Sequence, residues 1–153
     1  MEIFNLKDID FSKLEFFSDV VSTESSLYFD DELFYKLYEG FVLPKTKEKK
    51  LLLLNDGNNI PEVIIPNILI KNNKLLCGCA MSYVKNANSL FKYRNSDLFI
   101  PLLYAVSISL KKIHNDPRNI VVGDLHFNNI LIDIFYIMYF CFVRVPSFVV
   151  LAV

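Results

Sequence analysis

Phe99, Leu102, Leu103, Val106, Leu110 and Ile113 recur at helical spacing, which makes Ser96 to His114 the clearest helix in the sequence. Ser96 or Asp97 is in place to cap it, and Pro101 falls near the first turn, where a missing N–H costs least. Lys111, Lys112 and His114 lie at its far end, where positive charge suits the helix dipole. Elsewhere the apolar residues come in short runs cut by polar clusters. A chain built this way is restricted to layered strands with few helices, an α+β fold.

The order of those runs gives the organisation. Residues 1–15 mix Phe, Leu and Ile with charge and read as a short leader packed on the domain. From Phe16 to Tyr38, aromatic and apolar runs are broken by Ser22-Thr23-Glu24-Ser25-Ser26 and by Asp30-Asp31, as in a meander of hairpins. Pro44 and Thr46 then open a short helix, Lys45 to Leu54, which Asn55-Asp56-Gly57 stops. Val63-Ile64-Ile65 with Ile68-Leu69-Ile70, and Leu75 to Val84, read as further strands, with a turn at Asn72-Asn73.

A length of 153 residues suits one core. Sixteen Lys and Arg against 17 Asp and Glu give a net charge of −1, so no basic field exists to hold a nucleic acid. Three cysteines, two of them in Cys77-Gly78-Cys79, fit neither a disulfide framework nor the usual zinc spacing; they read as small thiols of a buried strand. Early acidic residues (Glu2, Asp8, Asp10) and no long apolar opening run predict no secretory signal, and a cytoplasmic location by default.

Chemistry concentrates in one loop. Asp124 and Asn129 stand five residues apart, between the apolar triplets Ile120-Val121-Val122 and Ile130-Leu131-Ile132. A carboxylate that positions an accepting hydroxyl, and an amide oxygen five residues on that reaches a metal, are what phosphoryl transfer requires. The run Val122-Gly123-Asp124-Leu125-His126-Phe127-Asn128-Asn129-Ile130-Leu131 resembles the catalytic loop of the protein-kinase-like superfamily, in the Gly-Asp-Leu-His form of small-molecule and atypical kinases. The resemblance implies Asp124 as the catalytic carboxylate and Asn129 as a magnesium ligand. Leu33-Phe34-Tyr35-Lys36-Leu37-Tyr38 is similar to the strand whose lysine meets ATP phosphates, with Glu48 of the next helix as the ion-pair partner of Lys36. Ala80 to Lys85 resembles the hinge, where backbone groups of Ser82, Tyr83 and Val84 would bind adenine.

By that resemblance, residues 16–133 form a kinase-like domain. Its N-lobe, about 16–85, is an antiparallel sheet with one helix, and a C-lobe begins over 86–133. ATP and magnesium are the implied cofactors, and the acceptor is unspecified. Two features depart from the family. The glycines, at 40, 57, 78 and 123, leave no Gly-rich loop between the first two strands. Tyr139-Phe140-Cys141-Phe142-Val143-Arg144 holds no carboxylate where the second metal-binding Asp is expected. The tail, residues 134–153, lacks Asp, Glu and Lys. Its abrupt composition favours a shifted frame or premature stop over a membrane anchor or a strand pair closing the domain. The expectation is a truncated phosphotransferase, weakly active or inactive. The alternatives are a pseudokinase-like nucleotide- or protein-binding module and a small protein that associates with membranes through Ile134 to Val153.

Overall fold

A computed structural model of the chain describes residues 1–17, 25–38, 45–54, 63–117, 120–122, 125–133, 138–141 and 149–151. Along the chain run β1 (Glu2–Asn5), β2 (Glu15–Phe16), β3 (Ser25–Phe29), β4 (Leu33–Tyr38), α1 (Lys45–Leu54), β5 (Val63–Ile64), β6 (Ile68–Asn72) and β7 (Leu75–Ser82). They are followed by β8 (Asn88–Ser89), α2 (Phe99–His114), β9 (Ile120–Val122), β10 (Ile130–Ile132), β11 (Met138–Cys141) and β12 (Val149–Leu151). The fold is α+β with mainly antiparallel pairing, in two compact units: Met1–Asn58 with Ile65–Tyr83, and Asn59–Ile64 with Val84–Val153.

The first unit is a six-stranded sheet ordered β1-β6-β7-β4-β3-β2. Its β2-β3-β4 meander turns at Asp30, whose Oδ1 accepts the N–H groups of Glu32 and Leu33 at 2.8 and 2.7 Å. Such a side-chain turn is why Asp stands there. Between β6 and β7 the hairpin closes at Asn73, whose φ of 58° is one that Asn tolerates better than most residues. The leader joins the sheet, with β1 running parallel to β6 at one edge.

Both faces of this sheet are covered, because successive side chains point to opposite sides. On one face Tyr35, Ile68, Ile70 and Ala80 form a core, against which Phe4, Leu6, Ile9 and Leu14 of the leader pack. On the other, Leu69 and Leu76 meet Leu51 of α1. Each such side chain, fully buried, contributes about 1.5–3 kcal/mol. The ladder slips once: Ile70 opposes Gly78 and Lys71 opposes Leu76, so Cys77 is the extra residue of a bulge. Its thiol donates to the Ile70 carbonyl at 3.4 Å, while Cys79 is buried.

In the second unit β5, β11, β10 and β8 form a sheet in that order, and β9 pairs with β12. Among the described residues Val63, Ile64, Leu90, Leu102, Val106, Ile113, Ile120, Ile130 and Ile132 are its buried apolar residues, and Ser109 is buried with them. Two features differ from the sequence reading. Val63 and Ile64 do not join the β6–β7 sheet; as β5 they pair parallel with β11. Neither Ser96 nor Asp97 caps α2: Leu98 occupies the cap position in αR geometry, and the Ser96 hydroxyl donates to the Tyr93 carbonyl instead. The two triplets flanking the Asp124 loop form the strands β9 and β10, which belong to different sheets.

The tail contributes strands. β11 is antiparallel to β10, and β12 is antiparallel to β9. Among the described residues no helix is long and apolar enough to cross a membrane.

Candidate functional site

Lys36 lies on β4, an interior strand flanked by β3 and β7. It stands opposite Leu27 on one side and Cys79 on the other, and Cys79 in turn opposes Leu69. Since directly paired residues share a face, Lys36 is on the Leu69 face, the one that α1 covers. It is only 3 % exposed. Its Nζ lies 5.1 Å from the Tyr38 ring centroid, within reach of a cation–π attraction. A buried ammonium costs several kcal/mol unless anions or dipoles answer it, so a lysine at this depth is positioned rather than incidental.

Glu48, in the first turn of α1, does not meet the partner expected for it. Its Oε1 accepts from Nζ of Lys71 at 2.5 Å, and both side chains are partly buried. Lys71 lies on the face of β6 that Leu69 presents to Leu51 of α1, and the bulge brings Leu76 opposite it on that same face. Lys71 is the residue that sequence reading missed. Its signal was parity, since it stands two residues after Leu69 in one strand.

Ser82 ends β7, opposite Leu33, and is exposed. Tyr83 follows, half-buried, with its ring 5.0 Å from that of Phe29 and stacked at 6.5 Å on Phe34. Its N–H is committed to the Glu32 carbonyl at 2.8 Å. Tyr83 thus acts in packing, and its amide is engaged within its own unit. Val84, half-buried, is where the chain enters the second unit.

Asn129 closes a single 3-10 turn, Phe127–Asn129, and is 8 % exposed. Its N–H donates to the His126 carbonyl at 2.8 Å, and the Asn128 N–H donates to His126 Nδ1 at 3.2 Å. His126 is therefore a turn-forming acceptor through Nδ1. Phe127 meets Phe99, at the start of α2, edge-on at 5.6 Å. The ring contact sets the Phe127–Asn129 turn against the start of α2. Asp124 lies outside the described residues, as do Ser22 to Glu24. Among the described residues no group of three His, Cys, Asp or Glu side chains could hold a metal ion.

The structure thus brings Lys36 and Glu48 into one unit, on elements that share a sheet face, and gives Glu48 to Lys71. It holds Asn129 in a buried turn of the other unit. No protein-family model matches the chain, and no curated protein is significantly similar to it.

Proposed function

We propose that this chain is an ATP-dependent phosphotransferase of the protein-kinase-like type, attenuated in turnover. The observation that carries the reading is Lys36: a lysine almost wholly buried in an interior strand, on the sheet face covered by α1. An ammonium in that setting suits phosphate oxygens, which are multiply charged and accept several hydrogen bonds.

The residues present suit the nucleotide better than they suit its metal. Asn129 would supply magnesium with a hard oxygen donor, the kind that ion prefers. When bound, the ion would neutralise phosphate charge. The β10–β11 hairpin then leads into Phe142-Val143-Arg144, which adds no further carboxylate. In this reading Lys36 holds the phosphates, Asp124 takes the proton of the accepting hydroxyl, and Asn129 would hold the magnesium. With one carboxylate missing, binding outlasts catalysis.

Calorimetric titration of the purified chain with ATP, with and without magnesium, tests this. Binding is expected, weakened at least tenfold by Lys36→Met and little changed by Asp124→Ala. Residual transfer should vanish in Asp124→Ala. The reading fails if millimolar ATP produces no binding heat and no thermal shift. Turnover at about 1–100 per second would refute the attenuation.

A further inference from the structure

One side of α2 is buried through Leu102, Val106, Ser109 and Ile113. Another presents large apolar groups to solvent: Ile100 is 70 % exposed, Tyr104 69 % and Ile108 45 %. Steps of four residues keep these three on one stripe, within about 80° of arc. Scattered apolar residues on a surface are ordinary, but a continuous stripe along a helix is a docking feature.

The stripe ends in opposite charges. Asp97 stands just before the helix and Lys111 in its last turn, both exposed. Counted from Tyr104, the two isoleucines lie four residues to either side and the two charges seven. The pattern is symmetric in its apolar groups and antisymmetric in charge. An antiparallel pair of such helices, related by a twofold axis at Tyr104, sets Ile100 on the partner's Ile108 and Tyr104 on the partner's Tyr104. It also sets Asp97 on the partner's Lys111, twice over. A parallel pair would place like charges together. Antiparallel helix dipoles favour the same arrangement.

We infer that this face of α2 is a self-recognition surface that docks a second copy of the chain through an isologous, antiparallel helix pair. The inference does not depend on the phosphotransfer reading. The stripe offers roughly 400 Å² per copy, about half of what a standard stable interface buries on each side. The dimer is therefore weak and concentration-dependent.

Sedimentation velocity on the full chain, from micromolar to several hundred micromolar, tests it. The expected result is a monomer–dimer equilibrium with a dissociation constant of about 10–500 µM. Tyr104→Lys should weaken it at least tenfold. Asp97→Lys or Lys111→Asp alone should weaken it several-fold, and the two combined should restore it to within about twofold, because the exchange recreates both ion pairs. Far-UV circular dichroism checks each variant; should Tyr104→Lys unfold, the charge-exchange series decides alone. A monomer at every concentration, growth past the dimer, or failure of the double exchange to restore association would overturn the inference. So would binding of monomers to phosphatidylcholine vesicles that Tyr104→Lys abolishes, which would assign the stripe to a lipid surface.

Discussion

Replacing Gly78 by alanine should loosen the strand that carries Lys36. A Cβ added at Gly78 would lie 2.6 Å from the Lys36 carbonyl oxygen and 2.7 Å from Cδ2 of Leu37. The leucine methyl can rotate away, but the carbonyl is held in the β4–β7 ladder, where Leu37 opposes Gly78. Ordinary contact at such a position begins near 3.4 Å, so the two strands must part by several tenths of an ångström. Overpacking of this kind costs about 1–3 kcal/mol. The gain from a stiffer unfolded chain, about 0.4–1 kcal/mol, offsets part of it. A net loss of about 1–2 kcal/mol follows, which shifts the urea midpoint down by roughly 0.5–1 M for a slope near 2 kcal/mol/M. The far-UV signal of the sheet reads the midpoint, and ATP titration of the same variant should show weaker binding, because the backbone that moves is that of Lys36. An alanine variant as stable as the parent, or more stable, would refute the close approach. Stability lost with ATP affinity intact would separate strand packing from the phosphate site.

The ion pair of Glu48 with Lys71 should show in a double-mutant cycle of Glu48→Gln and Lys71→Met as a coupling of about 1 kcal/mol, while a cycle of Glu48→Gln with Lys36→Met gives less than half of that. Equal coupling in both cycles would restore Lys36 as the partner. Tyr35 supplies a pH test: burial, and then donation to Asp30 Oδ2 at 2.9 Å, push its phenol from 10.0 up to about 12. A pKa raised on folding stabilises fully below pH 10 and loses that contribution as pH rises from 10 to 12, about 1–2 kcal/mol after solvent screening. Wild type should therefore lose more stability than Tyr35→Phe over that window, as urea midpoints at pH 9 and pH 11.5 would show; parallel losses would contradict the burial of the phenol.

What could be read from the sequence was local. The Asn72-Asn73 turn, the limits of α1 and most of α2 depend on residues within a few positions of one another, and the structure has them. Pairings between distant runs were not legible. Val63-Ile64-Ile65 is an apolar run that any sheet would accept, and only its alignment with β11 decides the matter. The partner of Glu48 was hidden for a related reason. Sequence shows which lysines exist, but Lys36 and Lys71 both lie on the face that α1 covers, and only the packing of α1 on the sheet decides which of them Glu48 meets. The cap of α2 misled because Ser96 has a nearer acceptor, the Tyr93 carbonyl, in the turn before the helix.

Lys36 is the case where sequence and structure meet. Leu33 to Tyr38 shows no alternation of apolar and polar residues, the pattern of a strand buried on both faces, and the leader and α1 do cover the two faces of its sheet. An edge-strand lysine would need no explanation, but β4 is not at an edge. Two roles remain for a cation there, and they differ in energy. If Lys36 chiefly answers a buried structural anion, Lys36→Met strands that anion and costs about 3–5 kcal/mol. If its work is to hold a ligand's phosphates, a side chain of similar length and volume replaces it at a cost below about 1.5 kcal/mol, and ATP affinity falls at least tenfold. The phosphate reading expects the second pair of results. Urea melts and calorimetric titration of one variant measure both, and a large loss of stability with unchanged ATP affinity would refute it.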